Sequence, residues 1–303
     1  MELGSMVFVQ VLIIVLLMLV GYVLVKAKVI DDRTSKQMTN ALFLVVVPCV
    51  LIKAYQKEFS MELVKGLLLS TLLVVIVHAL GILISMLVFK KDEKLRHRIE
   101  IFASVYSNCG FMAIPLLSST LGSDGVFYGS AYFAVFTILT WTHGICLYQG
   151  NLKAISGKNI LTNAGIIGVT IALIFFVLGI KLPYVLSETV GHLAAMNTPL
   201  GMILTGAYLT KVDFKKAFKG LSLYGVAFMR LIAIPIITII LAKVMKLDPV
   251  AARATIICAA CPTASVTALF AAKYDLDAGY ATQLVSVITL MSVITIPIVV
   301  MLY

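Results

Sequence analysis

Two stretches of this chain carry polar groups and prolines where the surrounding sequence is apolar. The first is Ser107-Asn108-Cys109-Gly110-Phe111-Met112-Ala113-Ile114-Pro115-Leu116, and the second is Cys258-Ala259-Ala260-Cys261-Pro262-Thr263-Ala264-Ser265-Val266-Thr267. Proline has no N–H and clashes with the carbonyl four residues back, here those of Phe111 and Cys258. Backbone groups freed in an apolar medium need new partners. Two helices unwound at such points and crossing each other present half-helix N-termini, which attract anions. Ser107, Asn108, Thr263 and Ser265 add side-chain hydrogen bonds. The chemistry this suits is reversible binding of a small anion, with Ser107, Asn108, Gly110, Pro115, Pro262, Thr263, Ser265 and Arg230 as candidate site residues. The plainer reading is two ordinary proline kinks. Two prolines in matching places, each beside small polar residues, favour the binding site.

Arg230 falls in the middle of an apolar run, where a cation faces a cavity, a partner or a broken helix. Two roles stay open for it: holding a substrate carboxylate, or bonding the freed carbonyls of an interrupted helix. No Asp or Glu lies deep in an apolar run, and Glu100 comes nearest. His78 and His143 could titrate near neutral pH, but the plainer reading is hydrogen bonding between helices. Asp275 and Asp277 read as solvated loop charge. Tyr22, Tyr55, Tyr148, Tyr184 and Tyr303 fall near run ends, as interface anchors do. Cys258 and Cys261 have a CxxC spacing but no second pair and no nearby His, which argues against zinc. No H-E-x-x-H or G-x-S-x-G occurs, and Ser107 lacks an evident base, so the chain reads as a non-enzyme without a cofactor.

The elements that position these residues follow from composition. Of 303 residues, 61% are hydrophobic and only 13% charged, and mean hydropathy is +1.07. A soluble domain of this length needs far more charged surface. The apolar residues form long continuous runs rather than the short alternating strands of a barrel, so the fold class is an all-α polytopic membrane protein. A span needs about 20 apolar residues. Ten runs meet that rule, near 6–26, 36–54, 62–89, 98–120, 125–148, 160–180, 185–210, 221–244, 250–272 and 278–302. The first is preceded by Glu2 rather than a basic region and is long enough to span, so it reads as a transmembrane helix and not a cleaved leader.

Lys and Arg cluster in alternate loops. One set holds Lys26, Lys28, Arg33, Lys36, Lys90, Lys91, Lys94, Arg96, Arg98, Lys153, Lys158, Lys211, Lys215, Lys216, Lys219 and Lys273. The other is smaller: Lys53, Lys57, Lys65, Lys181, Lys243, Lys246 and Arg253. Basic loops face the cytoplasm, which places both termini outside a cytoplasmic (inner) membrane. The net charge of +10 then needs no nucleic-acid partner; the partners are membrane lipid and a small organic anion. The loop near 149–160 divides the chain into 1–150 and 151–303, each with five runs. An odd number reverses the orientation of the second half, the arithmetic of an inverted repeat with interrupted helices 4 and 9 at its centre. Pro48 and Pro199, and Pro115 and Pro262, recur at similar spacing, whereas Pro235 and Pro297 have no partners.

Asn108 to Leu116 resembles the N-x-G-F-x-G-I-P-L signature of the auxin efflux carrier superfamily, which includes plant PIN carriers and bacterial malate and malonate permeases. The stretch from Pro262 to Tyr274, Pro48 after Asn40, Pro199 before Gly206, and Arg230-Leu231 before Pro235 fit the same layout along the whole chain. The resemblance implies crossover helices 4 and 9, a scaffold of helices 1, 2, 6 and 7, a transport domain of helices 3–5 and 8–10, and a homodimer. It implies secondary transport of a small organic anion such as a mono- or dicarboxylate by alternating access. Ala113 stands where that family commonly has Gly, the long central loop of the plant carriers is absent, and so is their second Asn in the first crossover. Auxin is therefore a poor substrate expectation. The rival reading is a sodium-coupled carrier of the bile-acid type, for which this crossover is thin in cation ligands; a channel or a non-transporting sensor follows behind.

Overall fold

The computed structural model describes residues 3–90, 92, 95–151, 157, 162–210, 218 and 220–303. Glu2, Lys91, Lys94, Lys153, Lys158, Lys211, Lys215, Lys216 and Lys219, which the charge pattern used, and the first residues of the run at 160–180 lie outside them. The described residues form helices α1 (Leu3–Lys26), α2 (Asp32–Ala41), α3 (Val47–Ala54), α4 (Met61–Val88), α5 (Arg96–Val105), α6 (Ile114–Thr120), α7 (Gly122–Leu139) and α8 (Ile145–Gln149), followed by α9 (Ala164–Val177), α10 (Tyr184–Ala195), α11 (Asn197–Leu209), α12 (Leu221–Phe228), α13 (Ile234–Val244), α14 (Pro249–Ala260), α15 (Val266–Lys273) and α16 (Ala278–Met301). Among them six stretches are long and apolar enough to cross a membrane: Phe8–Lys26, Asp32–Ala54, Met61–Val88, Gly122–Gln149, Leu221–Val244 and Ala278–Met301. Cys109–Thr120, Ala164–Val177 and Pro249–Ala260 are shorter apolar helices. Leu16, Val23, Leu68, Leu87, Ile240 and Ile294 are exposed on their outer faces, as side chains bordering hydrocarbon are.

Polar caps mark where the apolar runs begin. Asp31, Ser60, Asn163, Asp248 and Asp277 each accept a hydrogen bond from the first turn of α2, α4, α9, α14 and α16. A side-chain acceptor there satisfies one of the donors that a helix start leaves orphaned. The Asp31 carboxyl is held below its ordinary pKa by those bonds from Thr34. Near the start of α5, Asp92 accepts from the backbone and ring of His97. Partial burial works to raise the Asp92 pKa, but these bonds outweigh it and the net shift is downward. Arg96 pairs with Asp277 at 2.6 Å and lies over the Tyr280 ring, while Tyr280 donates to the buried Glu100. Asp277 is thus engaged with Arg96 and with the α16 cap rather than with solvent alone, and it ties α5 to α16.

Three prolines sit in the first turn of a helix that follows a wider, π-helical turn. Leu42–Val46 precedes Pro48, Cys109–Ala113 precedes Pro115, and Met229–Ala233 precedes Pro235. In each case the residue before the proline donates five residues back: Val47 to Leu42, Ile114 to Cys109, Ile234 to Met229. The wider turn moves the carbonyl that the pyrrolidine ring would strike, so the helix bends without ending. This corrects one expectation. Pro115 does not unwind its helix; the interruption lies upstream, at Tyr106–Asn108, because the Asn108 side chain starts a new turn there. A fourth wide turn, Thr140–Gly144, has no proline.

Close packing relies on glycine at one crossing in particular. A Cβ added to Gly21 would meet the backbone of Ile203, and one added to Gly206 would meet the backbone of Met18. Helices α1 and α11 therefore touch backbone to backbone, as small-residue contacts in membranes permit. Tyr55 and Tyr148 are buried, not interfacial: Tyr55 meets the Ser130 hydroxyl and Tyr148 donates to the Thr267 carbonyl. Tyr184 is 79% exposed, and the Tyr22 and Tyr303 rings lie beneath Lys26 and Lys243.

Candidate functional site

The two interruptions meet each other. Residues 106–108 leave α5, and Cys261 leaves α14 in an extended conformation. Ser107 and Thr263 form an antiparallel bridge. Its two hydrogen bonds run from Asn108 N to Pro262 O at 2.7 Å and from Ala264 N to Tyr106 O at 2.9 Å. A helix end leaves carbonyls without intrahelical donors, and in this dry setting each needs a partner. At the end of α5 every such carbonyl has one. Thr263 Oγ1 donates to Ala103 O at 2.7 Å. Arg230 Nη1 donates to Ser104 O and, at 2.5 Å, to Val105 O. The Tyr106 carbonyl takes the Ala264 amide.

Arg230 joins the second interruption as well. Its Nη2 donates to Ala259 O at the end of α14. The side chain has 0% exposure, and the wide turn before Pro235 carries it there. A cation at a helix C-terminus is stabilised by the helix dipole, by roughly 0.3–1 kcal/mol on a surface and up to ~2 when partly buried. Here one guanidinium serves two such ends. Both Nη groups are occupied by backbone, and only Nε is left without a partner. The carbonyls of residues 103–106 and 259 are thus freed and repartnered at the interruptions.

The structure brings Ser107, Asn108, Pro262, Thr263 and Arg230 together. Asn108 Oδ1 accepts weakly from Phe111 N at 3.4 Å, capping the turn at Cys109–Ala113. Gly110 is buried against Phe133 and Phe43. Ser265 sits one residue before α15, partly exposed and without a capping hydrogen bond. Pro115 lies seven residues beyond Asn108 and does not take part in the bridge.

Several buried polar atoms near the bridge have no hydrogen bond: Ser107 Oγ, Asn108 Nδ2, Tyr132 OH and His78 Nε2. They are neighbours. The Tyr132 hydroxyl is beside Ser107 without a well-formed bond, and the Tyr132 and His78 rings lie 5.1 Å apart. His78 Nδ1 faces the Val74 carbonyl at 2.9 Å. A carbonyl only accepts, so Nδ1 carries the proton and neutral His78 presents a bare Nε2. Tyr106 OH bonds His143 Nδ1 at 2.8 Å. Asn197, at the start of α11, is 3% exposed with neither amide atom bonded. One turn on, Gly201 packs against Phe111 of the wide turn. Sequence reasoning passed over Tyr132 and Asn197. Nothing marks Tyr132 in its apolar run, whereas an amide two residues before Pro199 was a readable signal for Asn197.

Several apolar membrane-length helices around a polar, interrupted pair of helices define a multi-pass membrane protein. The chain matches the membrane transport protein family over residues 6–159 and 151–300, and so it belongs to the auxin efflux carrier family. It is similar to an uncharacterized transporter of Methanocaldococcus jannaschii, with 25% identity over 94% of this chain and 95% of that protein. It is also similar to an uncharacterized transporter of Methanothermobacter thermautotrophicus, with 23% identity over 95% of each.

Proposed function

We propose that this protein is a secondary transporter of a small organic anion, a mono- or dicarboxylate, across the cytoplasmic membrane, working by alternating access. The observation that carries the reading is the bridge between the two interruptions, with unbonded buried donors beside it. An unpaired buried donor costs about 1–3 kcal/mol, a cost that a ligand with acceptor oxygens removes. Asn108 Nδ2 and the Ser107 and Tyr132 hydroxyls supply neutral donors. Thr263 and Pro262 hold the second interruption in place, Gly110 and Pro115 shape the wide turn, and Ser265 opens α15. Arg230 braces the helix ends and lends positive field to the site without using its Nη groups on the anion. No carboxylate group faces the bridge among the described residues, which suits an anion.

In this reading the ten apolar runs are ten spans in two inverted halves, 1–150 and 151–303, with both termini outside. Helices α1–α3 and α9–α11 belong to the scaffold, and the interrupted helices move against it with their neighbours. The close crossing of α1 and α11 suits a stiff scaffold, and a homodimer through that scaffold completes the picture. The test is counterflow in proteoliposomes loaded with malate, malonate, succinate, lactate or indole acetate, with and without a sodium gradient. Saturable exchange of one or more carboxylates supports the reading. Exchange that requires sodium points to the bile-acid type of carrier, and no exchange of any anion by folded protein rejects it.

A further inference from the structure

The face of α4 that meets α7 carries small or polar residues at four of five successive turns. Glu62, Gly66, Ser70, Val74 and His78 follow one another at four-residue spacing, and all but Glu62 are buried. Residues four apart lie one above the other on a helix. Opposite them, α7 presents Tyr128 and then Tyr132, also one turn apart. Tyr128 packs over Gly66 so closely that a Cβ there would come within 3.0 Å of its hydroxyl. Ser70 Oγ, Tyr132 OH and His78 Nε2 are buried along this seam without partners. At its outer end a cavity of about 330 Å³ is lined by Ser60, Glu62, Leu63, Tyr128 and Asp248, and both carboxylates there are exposed. At its inner end His78 reaches Tyr132, which stands beside Ser107 of the bridge.

We infer that His78 is the proton-binding residue of this carrier, reached through the α4–α7 seam from the Glu62–Asp248 cavity, and that it makes transport a proton–carboxylate symport. The inference rests on the carboxylate reading above. With Nδ1–H fixed on the Val74 carbonyl, the lone pair on Nε2 is the only basic site the ring offers. A proton from bulk water adds to Nε2, giving an imidazolium with an N–H on each side. The O–H bond of a hydronium breaks as the Nε2–H bond forms, leaving water, and the reverse transfer to water releases the proton when the site opens to the other face.

The surrounding charges link this proton to the anion. The groups that face His78 are Tyr106 beside the bridge, Tyr132 on α7, His143 in the wide turn after it, and Arg230 in the wide turn before α13. Of these only Arg230 carries a fixed charge. A second cation within the field of a fully buried guanidinium is costly unless an anion accompanies it. A carboxylate held by Asn108, Ser107 and Tyr132 supplies that anion, and an imidazolium supplies the carboxylate with a counter-charge. Each ligand therefore favours the other, as reciprocal linkage requires, and neither is carried alone.

The test uses the full chain in proteoliposomes with a labelled carboxylate that wild type exchanges in counterflow. An inward acid gradient should accumulate a monocarboxylate about tenfold per pH unit at zero membrane potential, since one unit of proton gradient is worth ~1.4 kcal/mol. His78→Gln keeps the shape and loses the titration, and its uptake should no longer respond to the gradient. A measurement on wild type covers a variant that fails to fold: carboxylate added to unbuffered detergent-solubilised protein should take up one proton per anion bound, read with a pH dye. Counterflow without accumulation in wild type, binding without proton uptake, or gradient-driven accumulation by His78→Gln each overturns the inference and leaves the carboxylate reading standing. Absence of carboxylate counterflow in wild type strikes the carboxylate reading first, and the inference with it.

Discussion

Replacing Arg230 by Met should loosen the protein at its centre. The side chain is fully buried and donates to Ser104 O, Val105 O and Ala259 O. Methionine fills comparable space but donates nothing, so three buried carbonyls lose their partners. At ~1–3 kcal/mol for each orphaned group, the gross loss is about 3–9 kcal/mol. Removing a buried cation returns several kcal/mol of desolvation cost. The net destabilisation is then about 2–5 kcal/mol, which corresponds to a fall in Tm of roughly 5–10 °C. Arg230→Lys keeps the charge at both helix ends but not the forked donors, and should fall between Met and wild type. The assay is heating in detergent with a thiol-reactive dye, because the thiols of Cys109, Cys258 and Cys261 are buried and free. Dye reaction at the wild-type temperature in Arg230→Met would refute the bracing role. A rise in KM for Arg230→Lys at unchanged Tm would make the guanidinium a direct ligand instead.

Other perturbations test other parts of the account. Gly206→Val should disrupt the α1–α11 crossing, because the new side chain meets the Met18 backbone; overpacking of this kind costs about 1–3 kcal/mol or more, and a lower Tm or lost folded yield in size-exclusion chromatography would show it. Asn197→Leu removes a buried amide with two unbonded atoms. Its Tm should hold or rise, by up to the few degrees that ~1 kcal/mol represents, while counterflow slows; a lower Tm with normal transport would show the amide to be structural. Asp92 has a folded pKa below its ordinary 3.8 because of its bonds from His97. Its stabilising contribution is therefore present above the unfolded value and lost as pH falls through the folded one. Asp92→Asn should flatten the acid limb of a Tm–pH profile below about pH 4 and leave the neutral region nearly level.

The membrane character and the helix boundaries were legible because apolar runs and their caps are local signals. The run at 221–244 forms α12, the wide turn and α13 with those limits, and the runs at 62–89 and 278–302 agree with α4 and α16 to within a residue at each end. The location of the first interruption was not legible. Pro115 was the visible helix breaker, but a wide turn absorbs it, and the break lies at Tyr106–Asn108, where the Asn108 cap and the bridged segment Pro262–Ala264 decide the geometry. That pairing joins residues more than 150 positions apart, so no local pattern contains it. Both roles for Arg230 were visible, but the three carbonyls its guanidinium meets were not. Tyr55 and Tyr148 were misplaced at the interface because counting along one helix does not reveal how far its neighbours cover its end. Tyr132 was not legible because a sequence does not state which face of a helix meets the bridge, whereas Asn197 two residues before Pro199 was a signal that could have been read.

The central claim is that a carboxylate binds at the paired interruptions. Its most direct test is counterflow by Asn108→Ala beside wild type, at equal amounts of folded protein and with the carboxylate that wild type exchanges best. Asn108 Nδ2 is an unbonded donor beside the bridge, and the backbone bond from Asn108 N to Pro262 O survives the substitution. Loss of one hydrogen bond to a charged ligand is worth about 1.5–3 kcal/mol, so the account predicts a KM raised roughly tenfold to a hundredfold in a protein destabilised by no more than the ~0.5–2 kcal/mol of the lost Asn108 cap. An unchanged KM would contradict it and would move the substrate away from the bridge.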